Sequence, residues 1–437
     1  MAETIKIIGG HRLCGDVTPI GNKNSIVAAI PAAILSKETI IYKEMPDTSD
    51  IAKLFLIIEK LGGKVINNGS GEFKINCKNL HSYHVDEKIG GQVRASLNFI
   101  GPLLARFGIA EVPLPGGCEL GARSIEAHTN AFEKAGVKIE KMGNMIRFIA
   151  PKKTPGNIRI WQIEASVTAT ENIAMYAAGI ESEIEIIDAA CEPHVTDLIN
   201  LLISMGASIK GTGSNRLTIK GKRNLTGTTY IPKPDFVDIA GFIVAAAITN
   251  GKIKILGANI PDIIDGMIDW FGMFNIEIKK EGKDLVVTRG KEGLIIDVKK
   301  TGFPLAGINL PKFVPRPWPG FPVDILPVIA TLASKSSGRL LLQNWMYESG
   351  LDFVRELDIL GADIFMADPQ RIIIHGPVTF KGGEVTPPPV IQAVKAIFLA
   401  ALTDPAETII HGTENLKRRY PNIIDVYRKL GAEITIL

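Results

Sequence analysis

Along the chain, a helix-like run of apolar positions repeatedly ends in a small turn and passes at once into a short strand-like alternation. The junction reads Leu61-Gly62-Gly63-Lys64-Val65, then Ala135-Gly136-Val137-Lys138-Ile139, then Met205-Gly206-Ala207-Ser208-Ile209. It returns as Leu360-Gly361-Ala362-Asp363-Ile364 and Leu430-Gly431-Ala432-Glu433-Ile434, with a degraded copy, Phe274-Asn275-Ile276-Glu277-Ile278, between. Glycine can take the left-handed conformation that ends a helix, and asparagine is the next-best residue there. A second series runs alongside: Ala-rich stretches at 24–35, 95–105, 169–179, 238–249, 324–333 and 393–401, small enough in side chain to be buried all round. The repeat spacing of about 70 to 90 residues is too long for a solenoid and suits an α/β unit of two helices and several strands. Six units predict two pseudo-threefold domains of three units each, with a crossover near Ile231-Pro232-Lys233-Pro234.

Size and composition agree with this division. The 437 residues exceed one ordinary core, and 46% hydrophobic with 22% charged residues is a globular composition. Forty-nine basic against 46 acidic residues leave a net charge of +3, which argues against a nucleic-acid or membrane-surface binder. No apolar run reaches the ~18 residues of a membrane span. Met1 to Lys6 has no signal-peptide layout. Cys14, Cys77, Cys118 and Cys191 form no C-x-x-C pair, so a reducing cytoplasm is expected, with no disulfide framework and no metal. A phosphate-binding loop and a dinucleotide fingerprint are both missing.

Four stretches could carry chemistry. Gly21-Asn22-Lys23-Asn24-Ser25 precedes an apolar helix, where Asn24 or Ser25 would cap and Lys23 is either an anion ligand or solvated; Pro31 should kink that helix. Pro113-Leu114-Pro115-Gly116-Gly117-Cys118-Glu119-Leu120-Gly121-Ala122-Arg123 is a loop, and Cys118 on it is a reactive thiol or an inert one. Pro317 to Val323 leads to Asp324, a natural helix cap. Lys417-Arg418-Arg419-Tyr420 is an anion site or a charged face.

Taken together, Lys23-Asn24, Arg94-Ala95-Ser96, Pro115-Gly116-Gly117-Cys118 with Gly121-Ala122-Arg123, Phe321-Pro322-x-Asp324 and Arg418-x-Tyr420 resemble, in order and over essentially the whole chain, the enolpyruvyl transferases. The branch acting on UDP-N-acetylglucosamine is the nearer; the 3-phosphoshikimate branch is more distant. The resemblance implies a two-domain inside-out α/β barrel, each domain of three βαβαββ units. One domain would span 21–233 and the other 1–20 with 234–437. It implies transfer of the enolpyruvyl group of phosphoenolpyruvate to the hydroxyl of a UDP-sugar, nucleotide or related acceptor, with no metal or organic cofactor. Lys23, Arg94, Arg123 and Arg418 would hold the anion, Asp324 would be the base, and Cys118 would act in proton transfer and product release. Lys23, Asp324 and Cys118 are thus the implied catalytic residues. Asn24, Ser166, Val167, Asp235 and Glu348 would line the substrate.

The chain departs from the family at three cationic positions. Glu164 stands where a lysine is usual, and Gly350 and Gln392 stand where arginines are usual. Arg355 and Arg419 are the candidates to compensate. The departures keep two other readings in view: an enolpyruvyl transferase of secondary metabolism with another hydroxyl acceptor, and a ligand-binding relative without catalysis.

Overall fold

The structure, a computed structural model, describes residues 3–114, 124–300, 305–306 and 310–437. The described residues form a mixed α/β fold with six open sheets. One unit shows the rule. Asn157–Trp161 lies parallel to Glu183–Ile187, and the helix Val167–Ala178 makes the crossover that parallel strands require. The helix Pro193–Ser204 then leads to Ser208–Lys210 and Arg216–Lys220, which close the sheet as an antiparallel pair.

The other sheets borrow strands from distant parts of the chain. Thr39–Tyr42 takes its parallel neighbour from Thr229–Tyr230. Lys252–Ile255 takes its own from Cys14–Val17. Thr4–Ile8 fills the centre of the sheet that holds Glu407–His411 and Glu433–Ile436. Accordingly there are two apolar cores. One gathers residues between Ile26 and Tyr230; the other joins Ile5, Ile7, Leu13 and Val17 to residues between Phe236 and Ile434. The chain passes between the cores twice, and the two passages lie side by side. Gly21 bridges Pro234, the Asn22 amide donates to the Lys233 carbonyl at 2.7 Å, and the Asp235 amide donates to the Ile20 carbonyl at 2.8 Å.

All six repeat junctions are left-handed: φ is +98° at Gly62, +82° at Gly136, +98° at Gly206, +59° at Asn275, +100° at Gly361 and +108° at Gly431. Each follows a helix and precedes a strand, as the pattern predicts. Two expected caps are corrected. Asn22, not Asn24 or Ser25, caps the helix Lys23–Ala32, its side chain accepting from the Ser25 amide at 3.1 Å. Asp324 caps nothing: it lies inside the 3-10 turn Val323–Ile325, leaving its carboxylate free for other partners. Pro31 sits near the end of its helix, which gives way to a 3-10 turn at Ala33–Leu35.

The Ala-rich helices fill the cores, and the sheets cover them. Every residue of Phe236–Ile248 is buried, as is every residue from Gln392 to Ala401. Strands such as Asn157–Trp161 alternate exposed and buried positions, one face on the helices and one on water. Between the helices Phe236–Ile248 and Ile391–Ala401 lies a buried ion pair, Lys395 Nζ to Asp238 Oδ1 at 2.6 Å. Gly241 makes room for it, since a Cβ there would meet Lys395 Cε at 2.3 Å. Burial pushes the Asp238 carboxyl up from its ordinary value, and Lys395 opposes this. Removing one partner of a buried pair strands the other. Lys395→Met should therefore cost about 3–5 kcal/mol in denaturant unfolding, and Asp238→Leu in the same chain should recover most of that loss.

Candidate active-site cleft

A cleft of about 370 Å³ opens where the two cores face each other. Five helices begin on its wall: Lys23–Ala32, Val167–Ala178, Pro193–Ser204, Phe236–Ile248 and Ile391–Ala401. Each contributes a residue of its first turn, namely Lys23, Val167, His194, Phe236 and Ile391. Helix N-termini present unpaired N–H groups and the positive end of the helix dipole, so their convergence favours an anion.

Side-chain cations reinforce this field. Lys23 Nζ lies 2.5 Å from Asp50 Oδ2, and the same oxygen lies 3.4 Å from Arg418 Nη2. Asp50 thus ties two cations from different cores together. Burial holds the Lys23 ammonium below its ordinary pKa, Asp50 offsets this, and Arg419 and Arg418 push the same way as burial. Burial would raise the Asp50 carboxyl, but Lys23 and Arg418 outweigh it and hold it low. Arg419 is buried, with Nη1 2.6 Å from Asp235 Oδ2 and Nη2 3.6 Å from Asp324 Oδ2. Burial disfavours its charge, yet Asp235, Asp324 and Asp238 together raise its pKa. Arg316 adds a further guanidinium to the wall.

The cleft also concentrates unsatisfied groups. Glu171 Oε1, Glu192 Oε2, His194 Nδ1, Arg419 Nε and both amide atoms of Gln392 are buried without a hydrogen-bond partner among the described residues, and all belong to wall residues. A buried polar group without a partner is costly, and such a cluster is expected where a ligand supplies the partners. Burial moves the acids toward neutrality. It pushes the Glu171 carboxyl to about 8, and raises Glu192. It also holds the His194 imidazole down at about 4.

Of the residues singled out from sequence, Lys23, Asn24, Val167, Asp324 and Arg418 line the cleft. Asp235 lies behind the wall, fully buried, bound to Arg419 and capping Phe236–Ile248 through the Val237 amide at 2.9 Å. Ser166 precedes the Val167 helix, its carbonyl accepting from the Thr170 hydroxyl at 2.8 Å. Arg94 lies off the wall, its Nη2 donating to the Ser124 carbonyl at 3.4 Å. Glu348 is exposed and faces a separate surface depression with Arg371. Cys118 and Arg123 lie outside the described residues.

Of the three departures, Glu164 is exposed and off the wall, whereas Gly350 and Gln392 line a small annex of the cleft. Arg419 reaches the cleft; Arg355 is exposed elsewhere. Sequence reasoning missed Asp50, Glu171, Glu192, His194 and Arg316. Asp50 reads as an ordinary first-turn acid of the helix Ser49–Lys60. Glu171 is the only charged residue in an apolar helix, a signal that was available.

The family described as EPSP synthase (3-phosphoshikimate 1-carboxyvinyltransferase) matches residues 7–427. A UDP-N-acetylglucosamine 1-carboxyvinyltransferase of Treponema denticola is 36% identical over 430 residues, 98% of each chain. One from Bradyrhizobium diazoefficiens is 33% identical over 98% of this chain and 96% of its own. Among solved structures, the enolpyruvyl transferase NikO from Streptomyces tendae superimposes with a TM-score of 0.86 at 19% identity, over 100% of this chain and 99% of its own. An EPSP synthase from Acinetobacter baumannii gives 0.71 at 17% identity, over 99% of this chain and 100% of its own. These two share the fold.

Glu171 makes the cleft's burial measurable. Its carboxyl rises from an ordinary 4.5 to about 8 in the folded chain, so between those values the folded state holds a proton the unfolded state has lost. Its contribution to stability is full below pH 4.5 and is lost as pH rises to about 8. Glu171→Gln removes that loss. Its stabilising effect in urea unfolding should be small near pH 4.5 and grow toward pH 8; a pH-independent difference would contradict the assignment.

Proposed function

Because the chain belongs to the EPSP synthase family of enolpyruvyl transferases, we propose that it transfers the enolpyruvyl group of phosphoenolpyruvate to the 3-hydroxyl of UDP-N-acetylglucosamine, a step of peptidoglycan precursor synthesis. One observation carries the reading: Lys23, Arg418 and Asp324, remote in sequence, meet on one cleft at converging helix N-termini. Phosphoenolpyruvate brings a phosphate and a carboxylate, and fixed cations are what such a ligand needs. The domain division at 21–233, and 1–20 with 234–437, rests on the two cores and the paired crossings. The inside-out barrel rests on the buried central helices and the sheets that cover them.

In this reading the reaction is an addition followed by an elimination. C3 of the enol takes a proton and the acceptor hydroxyl, losing its own proton, attacks C2; phosphate then leaves from the tetrahedral carbon while the C3 methyl gives up a proton, which restores the double bond on the acceptor's new ether. Lys23 and Arg418 hold the phosphoenolpyruvate anion, joined by Arg94 and Arg123 by family likeness. Asn24, Ser166, Val167 and Asp235 remain assigned to substrate binding, Asp235 acting from behind the wall through Arg419, whereas Glu348, at its separate depression, is assigned there by family likeness alone. Asp324 receives the proton of the attacking hydroxyl, and Arg419 fixes its carboxylate. Cys118 is assigned to proton transfer and product release. The clustering of anion ligands and base favours catalysis over ligand binding alone. A second reading, transfer to another hydroxyl acceptor, is favoured by the loss of cations at Gly350 and Gln392.

Phosphate release from phosphoenolpyruvate should require an acceptor, and UDP-N-acetylglucosamine should serve; release with other hydroxyl compounds alone would move the assignment to the second reading. Asp324→Asn should lower turnover by about 10² to 10⁴ with the fold retained. A phosphonate epoxide resembling phosphoenolpyruvate should label Cys118 in preference to Cys77 and Cys191. Burial pushes the Cys77 thiol to about 12, and it pushes that of Cys191 to about 11 with help from Glu192. Peptide mass spectrometry reads the site of labelling.

A further inference from the structure

Beyond Asp324, the cleft continues into an annex of about 40 Å³, lined by Asn344, Tyr347, Gly350, Pro388 and Gln392 among others. Among the described residues, Asp324 is the only charged one on this wall. The cations Lys23, Arg316, Arg418 and Arg419 all belong to the larger cavity. Gln392 lines both spaces, is only 6% exposed, and leaves both Oε1 and Nε2 without a partner among the described residues. An unpaired buried amide is a net loss to the unliganded fold.

The annex is also built against a cation. Asn344 is buried and holds a turn, its Oδ1 accepting from the Met346 and Tyr347 amides at 3.2 and 3.3 Å. Its Nδ2 then sits where a side chain at 350 would start: a Cβ on Gly350 would lie 2.0 Å from it. No long side chain fits at 350 while Asn344 keeps this turn.

We propose that Gln392 is a specificity-determining residue that binds an uncharged part of the acceptor beside Asp324. An anion could accept from Nε2 but would leave Oε1 facing negative charge, with Asp324 adjacent. A hydroxyl or an amide offers both a donor and an acceptor and satisfies both ends. The donor anion then occupies the cationic end, and a neutral hydroxyl- or amide-bearing group occupies the annex. The inference rests on the enolpyruvyl-transfer reading, in which Asp324 faces the acceptor hydroxyl.

The test compares wild-type protein with Gln392→Met, which keeps the shape and removes the amide. UDP-N-acetylglucosamine and phosphoenolpyruvate are titrated separately by calorimetry, and both proteins are unfolded thermally without ligand. The variant should bind the sugar nucleotide about tenfold or more weakly, keep its affinity for phosphoenolpyruvate, and unfold at a higher temperature than wild type. Weakened phosphoenolpyruvate binding with unchanged acceptor binding would overturn the proposal. So would a variant that unfolds earlier or fails to fold, because the amide would then be structural. If wild type binds neither compound, the enolpyruvyl-transfer reading fails. The annex is then tested with N-acetylglucosamine and uridine, and equal affinities in the two proteins overturn it.

Discussion

Asp235 is the carboxylate on which the arrangement of the cleft depends. It sits where the chain passes between the two cores and is wholly buried. A carboxylate there must be paired and hydrogen-bonded, since an isolated buried charge costs far more than a fold can spare. It accepts from the Val237 amide at 2.9 Å and the Lys23 amide at 3.4 Å, and binds Arg419 Nη1 at 2.6 Å. Through those bonds it fixes the start of Phe236–Ile248, the start of Lys23–Ala32 and the guanidinium that steadies Asp324. One buried charge thereby sets helix ends from both cores and the proposed base in a single frame.

Around that frame the electrostatics are lopsided. Helix N-termini and the Lys23–Asp50–Arg418 cluster make one end attractive to anions, while burial drives Glu171 toward its neutral form and so spares the field an opposing charge. The annex beyond Asp324 carries amides in place of cations. A reaction joining a doubly anionic donor to a hydroxyl acceptor is well served by such a division, because each partner has a distinct place before bonds change.

Much of this was legible in the chain. The six left-handed junctions were readable because only glycine and asparagine take that backbone conformation cheaply, and the Ala-rich helices because their small side chains leave no polar face. Lys23, Asp324 and Arg418 were found through motif likeness rather than physics: a lysine at a helix start and an aspartate after proline look the same when idle. The Asp324 cap was misjudged because local propensity knows nothing of Arg419, some distance along the chain, which claims the carboxylate. Asp50, Glu192 and His194 stayed hidden for the same reason. Their roles come from burial and from partners that only the tertiary fold brings near.

The division of the cleft is tested most directly by a crystal structure of the protein with phosphoenolpyruvate and an acceptor bound. The account predicts the phosphate within hydrogen-bond distance of Lys23 and Arg418, and the acceptor hydroxyl at Asp324. Phosphoenolpyruvate seated instead against Gln392 and Gly350, with Lys23 and Arg418 unliganded, would contradict it.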